Sequence, residues 1–170
     1  AKFGYPLYKQ MRAQGDDAMR VWRVSHFGGH VFAPTLIDMP TGHYWAYVEP
    51  PQAEQIIAQT GDPAALRGHY RGWAGVADGF VQAAERECWQ RHGWTWFSHP
   101  RSGTVLSQDS DPEHPAWAEV LIRHSPTQGA PGAYRVRVEV SHTIETITTT
   151  GYDNTYQYPQ YVITELEPVS

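Results

Sequence analysis

The spacing of apolar residues changes period at Trp94, and that change restricts the fold more than any other feature of the chain. Before it, apolar positions recur three and four residues apart. Val76, Phe80, Val81, Ala84, Cys88 and Trp89 fall on one side, Gln82, Glu85, Arg86 and Gln90 on the other, and Gly93 follows the last turn, which predicts a helix over Val76–His92. After it, Tyr134, Val136, Val138 and Val140 alternate with Arg135, Arg137 and Glu139, the pattern of an antiparallel strand with one buried and one wet face. Ala116–Arg123, Ile144–Thr150 and Tyr161–Leu166 read as further strands between clusters of Gly, Pro, Asn and Asp. A chain that must satisfy both periods is α+β.

The first half adds shorter elements. Phe3, Leu7, Tyr8 and Met11 form the apolar stripe of a helix that Gly15 ends, and Met19–Ser25 reads as a short strand running into Gly28 and Gly29. Val31–Met39 and Tyr44–Val48 form a hairpin around Pro40-Thr41-Gly42-His43, where Pro and Gly supply the fixed and the positive φ of a tight turn. Pro50 and Pro51 open a helix that reaches Gln59 before Gly61, and Asp62-Pro63 starts a short one. Ser102–Pro115, rich in Ser, Asp, Glu and Pro, reads as a mobile loop.

At 170 residues the chain is long enough for one sizeable core. Its net charge of −5, with lysine only at Lys2 and Lys9 and no basic run, argues against a nucleic-acid partner. No stretch has the length of a membrane span, and a single cysteine, Cys88, cannot close an internal disulfide, so the expected location is cytoplasmic. On the apolar side of its helix, Cys88 reads as a small core residue.

Few segments could carry chemistry. Acyl-transfer elbows, phosphate-cradling glycine loops and His-Glu-x-x-His helices are missing from the sequence. Ser25-His26-Phe27-Gly28-Gly29-His30 places two histidines four apart across two glycines, which let the backbone fold back so that both imidazoles can converge on one ion; the same residues also make an ordinary Gly-Gly turn. Arg67-Gly68-His69-Tyr70-Arg71-Gly72-Trp73 reads as a turn whose Arg67, His69 and Arg71 suit an anion or an acidic partner, or as a solvated loop with incidental charge. Trp94, Trp96 and Phe97 read as packing, and Asp16-Asp17 as a surface turn.

The run SHFGGHVFAPTLIDMPTGHYWAYV from Ser25 resembles the signature of the sucrase/ferredoxin-like family of thioredoxin-like ferredoxins. The resemblance continues through RGHYRGW and VADGFVQAAERECW and thins after about Ser98, while AKFGYPLYKQMR is similar to the stretch that follows the second of two cysteines in that family. It implies a thioredoxin-like layer, incomplete at its N-terminus, over residues 1–98, with a β-rich extension over 99–170 packed on it as one unit. It also implies a 2Fe–2S cluster held by two cysteines and by His26 and His30, and one-electron transfer with an unidentified redox partner protein. The chain thus reads as an electron carrier rather than an enzyme, and no residue supports a sucrase activity. The cysteine ligands have no counterpart, so the 170 residues read as a fragment, expected to be colourless and free of iron, with any metal weakly held at His26 and His30. A sheet edge bared by a missing first strand would favour self-association. The alternative is a non-redox binding module in which His26 and His30 hold zinc or nothing.

Overall fold

A computed structural model describes residues 4–15, 19–24, 27, 29–147 and 155–169. Helix α1 (Gly4–Gln14) buries Leu7 and Met11. A 3-10 turn (His30–Phe32) leads into β1 (Leu36–Asp38) and β2 (His43–Trp45), paired antiparallel with Ile37 opposite Tyr44. Helix α2 (Pro50–Ala58) and a 3-10 turn (Pro63–Leu66) precede β3 (Tyr70–Trp73), which adds to β2 and completes a three-stranded sheet. Helix α3 (Gly79–His92) runs into a 3-10 segment (Gly93–Ser98). Strands β4 (Arg101–Gln108), β5 (Trp117–His124), β6 (Gly132–Ile147) and β7 (Thr155–Val169) form an antiparallel meander. The α+β class read from the sequence is the observed one.

One core unites the two sheets. Helix α3 touches β3 of the first sheet and every strand of the second. Trp45 and Tyr70 meet Trp89 of α3 and Phe97 of the 3-10 segment, with ring centroids 4.8–6.1 Å apart, while Val120, Ile122, Val136 and Val138 line the second sheet's inner face. Aromatic pairs at such separations add about 0.5–1.5 kcal/mol each beyond the area they bury.

Several expectations need correction. Residues 19–24 form no strand: Trp22 and Val24 stay exposed, and Arg23 lies over the rings of Tyr5 and Tyr8, so side chains rather than a ladder hold the segment. The hairpin exists but is shorter than read, because Pro34 has no N–H for a ladder and Val31 and Phe32 belong to the 3-10 turn. The segment read as a turn around Arg67–Trp73 ends in strand β3. Much of the supposed mobile loop Ser102–Pro115 is β4, whose inward positions include Gly103: a Cβ there would lie 2.2 Å from Val81 Cγ1 on α3, so helix contact takes the place of a side chain and hides the strand pattern. Tyr134–Val140 and the described part of Ile144–Thr150 are one continuous strand, β6, and β7 is far longer than Tyr161–Leu166. Residues 148–150 lie outside the described ones.

Candidate functional site

The Gly-Gly turn is described from Gly29 onward, with Phe27 before it; His26 and the imidazole of His30 lie outside the described residues. Gly29 has φ +70°, a conformation that L side chains avoid, and its carbonyl accepts from the Phe32 N–H at 2.9 Å to close the 3-10 turn that His30 opens. Backbone bonds then tie the turn to the chain beyond β2: Tyr47 N–H donates to the Phe32 carbonyl (2.8 Å) and Val48 N–H to that of Pro34 (3.0 Å).

The Phe32 ring fastens the turn to three other parts of the molecule. A Cβ on Gly29 would come within 3.3 Å of it, the rings of Tyr47 and Tyr158 meet it edge-on at 6.0 and 6.3 Å, and the Arg71 guanidinium lies 4.1 Å from its centroid. Tyr158 belongs to β7, so the second sheet reaches the histidine turn directly. The sequence alone did not indicate this contact, since nothing in the pattern of β7 says which loop it will cover.

The other singled-out residues separate. Arg67 pairs with Glu87 at 2.8 Å, and the Nδ1–H of His69 donates to the Ala46 carbonyl at 3.0 Å. Cys88 is fully buried, and burial, with Glu85 adding to it, pushes its thiol well above the ordinary range, which leaves it neither a nucleophile nor a ligand. Trp94, Trp96 and Phe97 are packing, as read. Among the described residues, no group of three or more His, Cys, Asp or Glu is placed to hold a metal ion.

Two polar constellations were missed. Glu85, read as part of the polar side of its helix, is 1% exposed; its Oε1 accepts from Trp96 Nε1 and Arg101 Nε and its Oε2 from the Tyr70 hydroxyl, all at 2.9 Å. Burial, then the charge of Glu85, raises the Tyr70 hydroxyl well above its usual range, so it remains a donor. Arg101 also donates to His43 Nε2 at 2.9 Å; because a guanidinium only donates, the His43 proton sits on Nδ1, 3.7 Å from Asp38 Oδ2. This network ties β2, β3, α3 and β4 together and is sealed from solvent, so it joins elements rather than meeting a substrate. The second constellation is His92, His99 and His124, whose ring centroids lie 5.1–6.0 Å apart beside Trp96 and Tyr134, with His92 Nε2 2.9 Å from the Tyr134 hydroxyl. Scattered over α3, the connection to β4 and the end of β5, these histidines have no spacing signal.

Comparison with known proteins agrees with the sequence resemblance. No curated protein and no solved structure matches the chain. Residues 1–72, which include the histidine turn and the β1–β2 hairpin, match the sucrase/ferredoxin-like family model.

Proposed function

We propose that the protein is an electron carrier of the thioredoxin-like ferredoxin type in which His26 and His30 are the histidine ligands of a 2Fe–2S cluster, and in which the three-stranded sheet and its helices represent the thioredoxin-like layer. The observation that carries this reading is the family match over the turn, together with a backbone that curls at Gly29 and is clamped through Phe32. The donor set fits in one half: two imidazoles of one tight turn suit the nitrogen ligands. The thiolate half is not met by Cys88, which is the chain's one cysteine and sits sealed in α3, so the thiolates must come from outside these 170 residues. A cluster bound there would supply one-electron transfer at a potential raised by its neutral ligands, since two-histidine centres span roughly −150 to +300 mV against about −400 mV for plant-type ferredoxins.

The chain's own contribution is positional. The Gly29 backbone bends the chain into the 3-10 turn, and the rings of Tyr47 and Tyr158 meet that of Phe32 edge-on and hold the turn against the rest of the fold. The test uses the product of the full reading frame, purified without oxygen. Visible absorption and about two irons per chain are expected. Ala at either histidine should remove most of both, whereas His26→Cys or His30→Cys should keep the colour, lower the potential and flatten its pH dependence. A colourless product, or potentials that ignore both substitutions, overturns the ligand assignment.

A further inference from the structure

Residues 1–72 carry the family match, yet one support of the histidine turn comes from far outside them. Of the side chains described against the Phe32 ring, Tyr47 and Arg71 lie within the matched stretch, whereas Tyr158 belongs to β7. The strand pairing brings it there. Strand β5 pairs with β6 only as far as Glu139, and beyond Val140 β6 and β7 continue as a two-stranded ribbon to Ile147 and Thr155. The register shifts between Val140 and His142, where the ribbon leaves the sheet, and the Ser141 hydroxyl donates to the Gln160 carbonyl at 3.0 Å across that irregularity. A bulge bends its strand and re-aims the side chains beyond it. In the ribbon Tyr158 lies opposite Ile144, and its ring meets Phe32 at 6.3 Å with the planes 82° apart.

Phe32 is where such a contact has leverage. Its N–H donates to the Gly29 carbonyl and its own carbonyl accepts from Tyr47, so displacing the ring pulls on both backbone bonds of the turn that His30 opens. A two-stranded ribbon is marginal by itself, and this one leaves Ile144, Ile147 and Tyr156 exposed, so its course depends on contacts with the body of the molecule. A ligand side chain has to be held within about 0.5 Å of its working geometry, by neighbours that are themselves locked by packing. We propose that Tyr158 is a positioning residue for the histidine ligand: packed on Phe32, it fixes the turn that carries His30, and the β6–β7 ribbon thereby becomes part of the support of the cluster. The role at a ligand rests on the electron-carrier reading; the clamp on the turn does not.

The first readout needs no iron. In the 170-residue chain, hydrogen exchange followed by NMR should show the Phe32 and Tyr47 amides exchanging about three- to tenfold faster in Tyr158→Ala, the factor that one aromatic pair supplies. Tyr158→Phe keeps the ring and should match the unsubstituted protein. Val120 and Val136, paired in the middle of the second sheet, should keep their rates, which separates loosening of the turn from a loss of overall stability. Ile147→Ser, on the other face of the ribbon, should leave the turn as it was. Unchanged turn amides in Tyr158→Ala, or equal acceleration in Ile147→Ser or at Val120 and Val136, overturn the proposal. The second readout uses the product of the full reading frame, purified without oxygen. There Tyr158→Ala should change the histidine-nitrogen couplings in pulsed EPR of the reduced cluster and move its potential, and Tyr158→Phe should do neither. A coloured Tyr158→Ala protein with unaltered couplings and potential overturns the positioning role and leaves the electron-carrier reading standing. An unsubstituted product without a cluster sinks that reading itself, and the role at a ligand goes with it.

Discussion

Glu85 shows how a single residue can be misread from periodicity and yet hold the molecule together. Helical spacing sends it to the polar side, but it lies beneath the 3-10 segment, where Trp96, Tyr70 and Arg101 together use both carboxylate oxygens. The signal for that burial is held by three residues distant in the chain, so no local window displays it. With the side chains of Glu85 and Arg101 only 2% and 4% exposed, Arg101→Leu would leave a buried carboxylate unanswered and should lower stability by about 3–5 kcal/mol in urea unfolding. Replacing Glu85 and Arg101 together by apolar residues should cost clearly less than that single change, because no charge is stranded. Gly103 gives a second test: Gly103→Ala drives a methyl into Val81 and should cost about 1–3 kcal/mol, most of it recovered when Val81→Ala is added.

At the scale of elements, α3 was legible from its helical spacing and its stop at Gly93, although it begins at Gly79 rather than at Val76. Its cap was not singled out in advance: Asp78 accepts from the N–H groups of Phe80 (2.8 Å) and Val81 (3.0 Å), and Asp78→Ala should cost about 1 kcal/mol. At the other end of α3 the three histidines make stability depend on pH. The pKa values of His92, His99 and His124 all lie below the ordinary value, first because of burial; positive charge then lowers them further, that of His124, His99 and Arg91 at His92, of Arg101 at His99 and of His99 at His124. Imidazoles with depressed folded pKa values contribute fully above the unfolded value of about 6.5, and that contribution is lost as pH falls from there toward the folded values, where the unfolded chain binds more protons. Urea midpoints should therefore fall between pH 7 and pH 5, and His92→Gln, which can still bond Tyr134 but does not titrate, should make the fall shallower. The strands that escaped notice, β3 and β4, carry glycine where a side chain would have completed the alternation.

For the molecule as a whole, the family match and the folding unit differ in extent. Residues 1–72 hold the turn and nearly all of the first sheet, yet the rings that cover Trp45 and Tyr70 come from Trp89, Trp94 and Phe97. A peptide of residues 1–72 should accordingly lack the dispersed aromatic signals of a fixed core in NMR. Restoring the remaining residues should return them. The turn at Gly29–Phe32 could be anticipated because two glycines are adjacent in the chain; its contact with the second sheet could not, because Phe32 and Tyr158 are far apart in the sequence and meet only in the folded molecule. During synthesis, Tyr158 leaves the ribosome long after Phe32, and until it arrives one side of the turn has no cover. The edge-on contact between Tyr158 and Phe32, which joins the second sheet to the turn, is therefore among the later contacts that can form as the chain emerges.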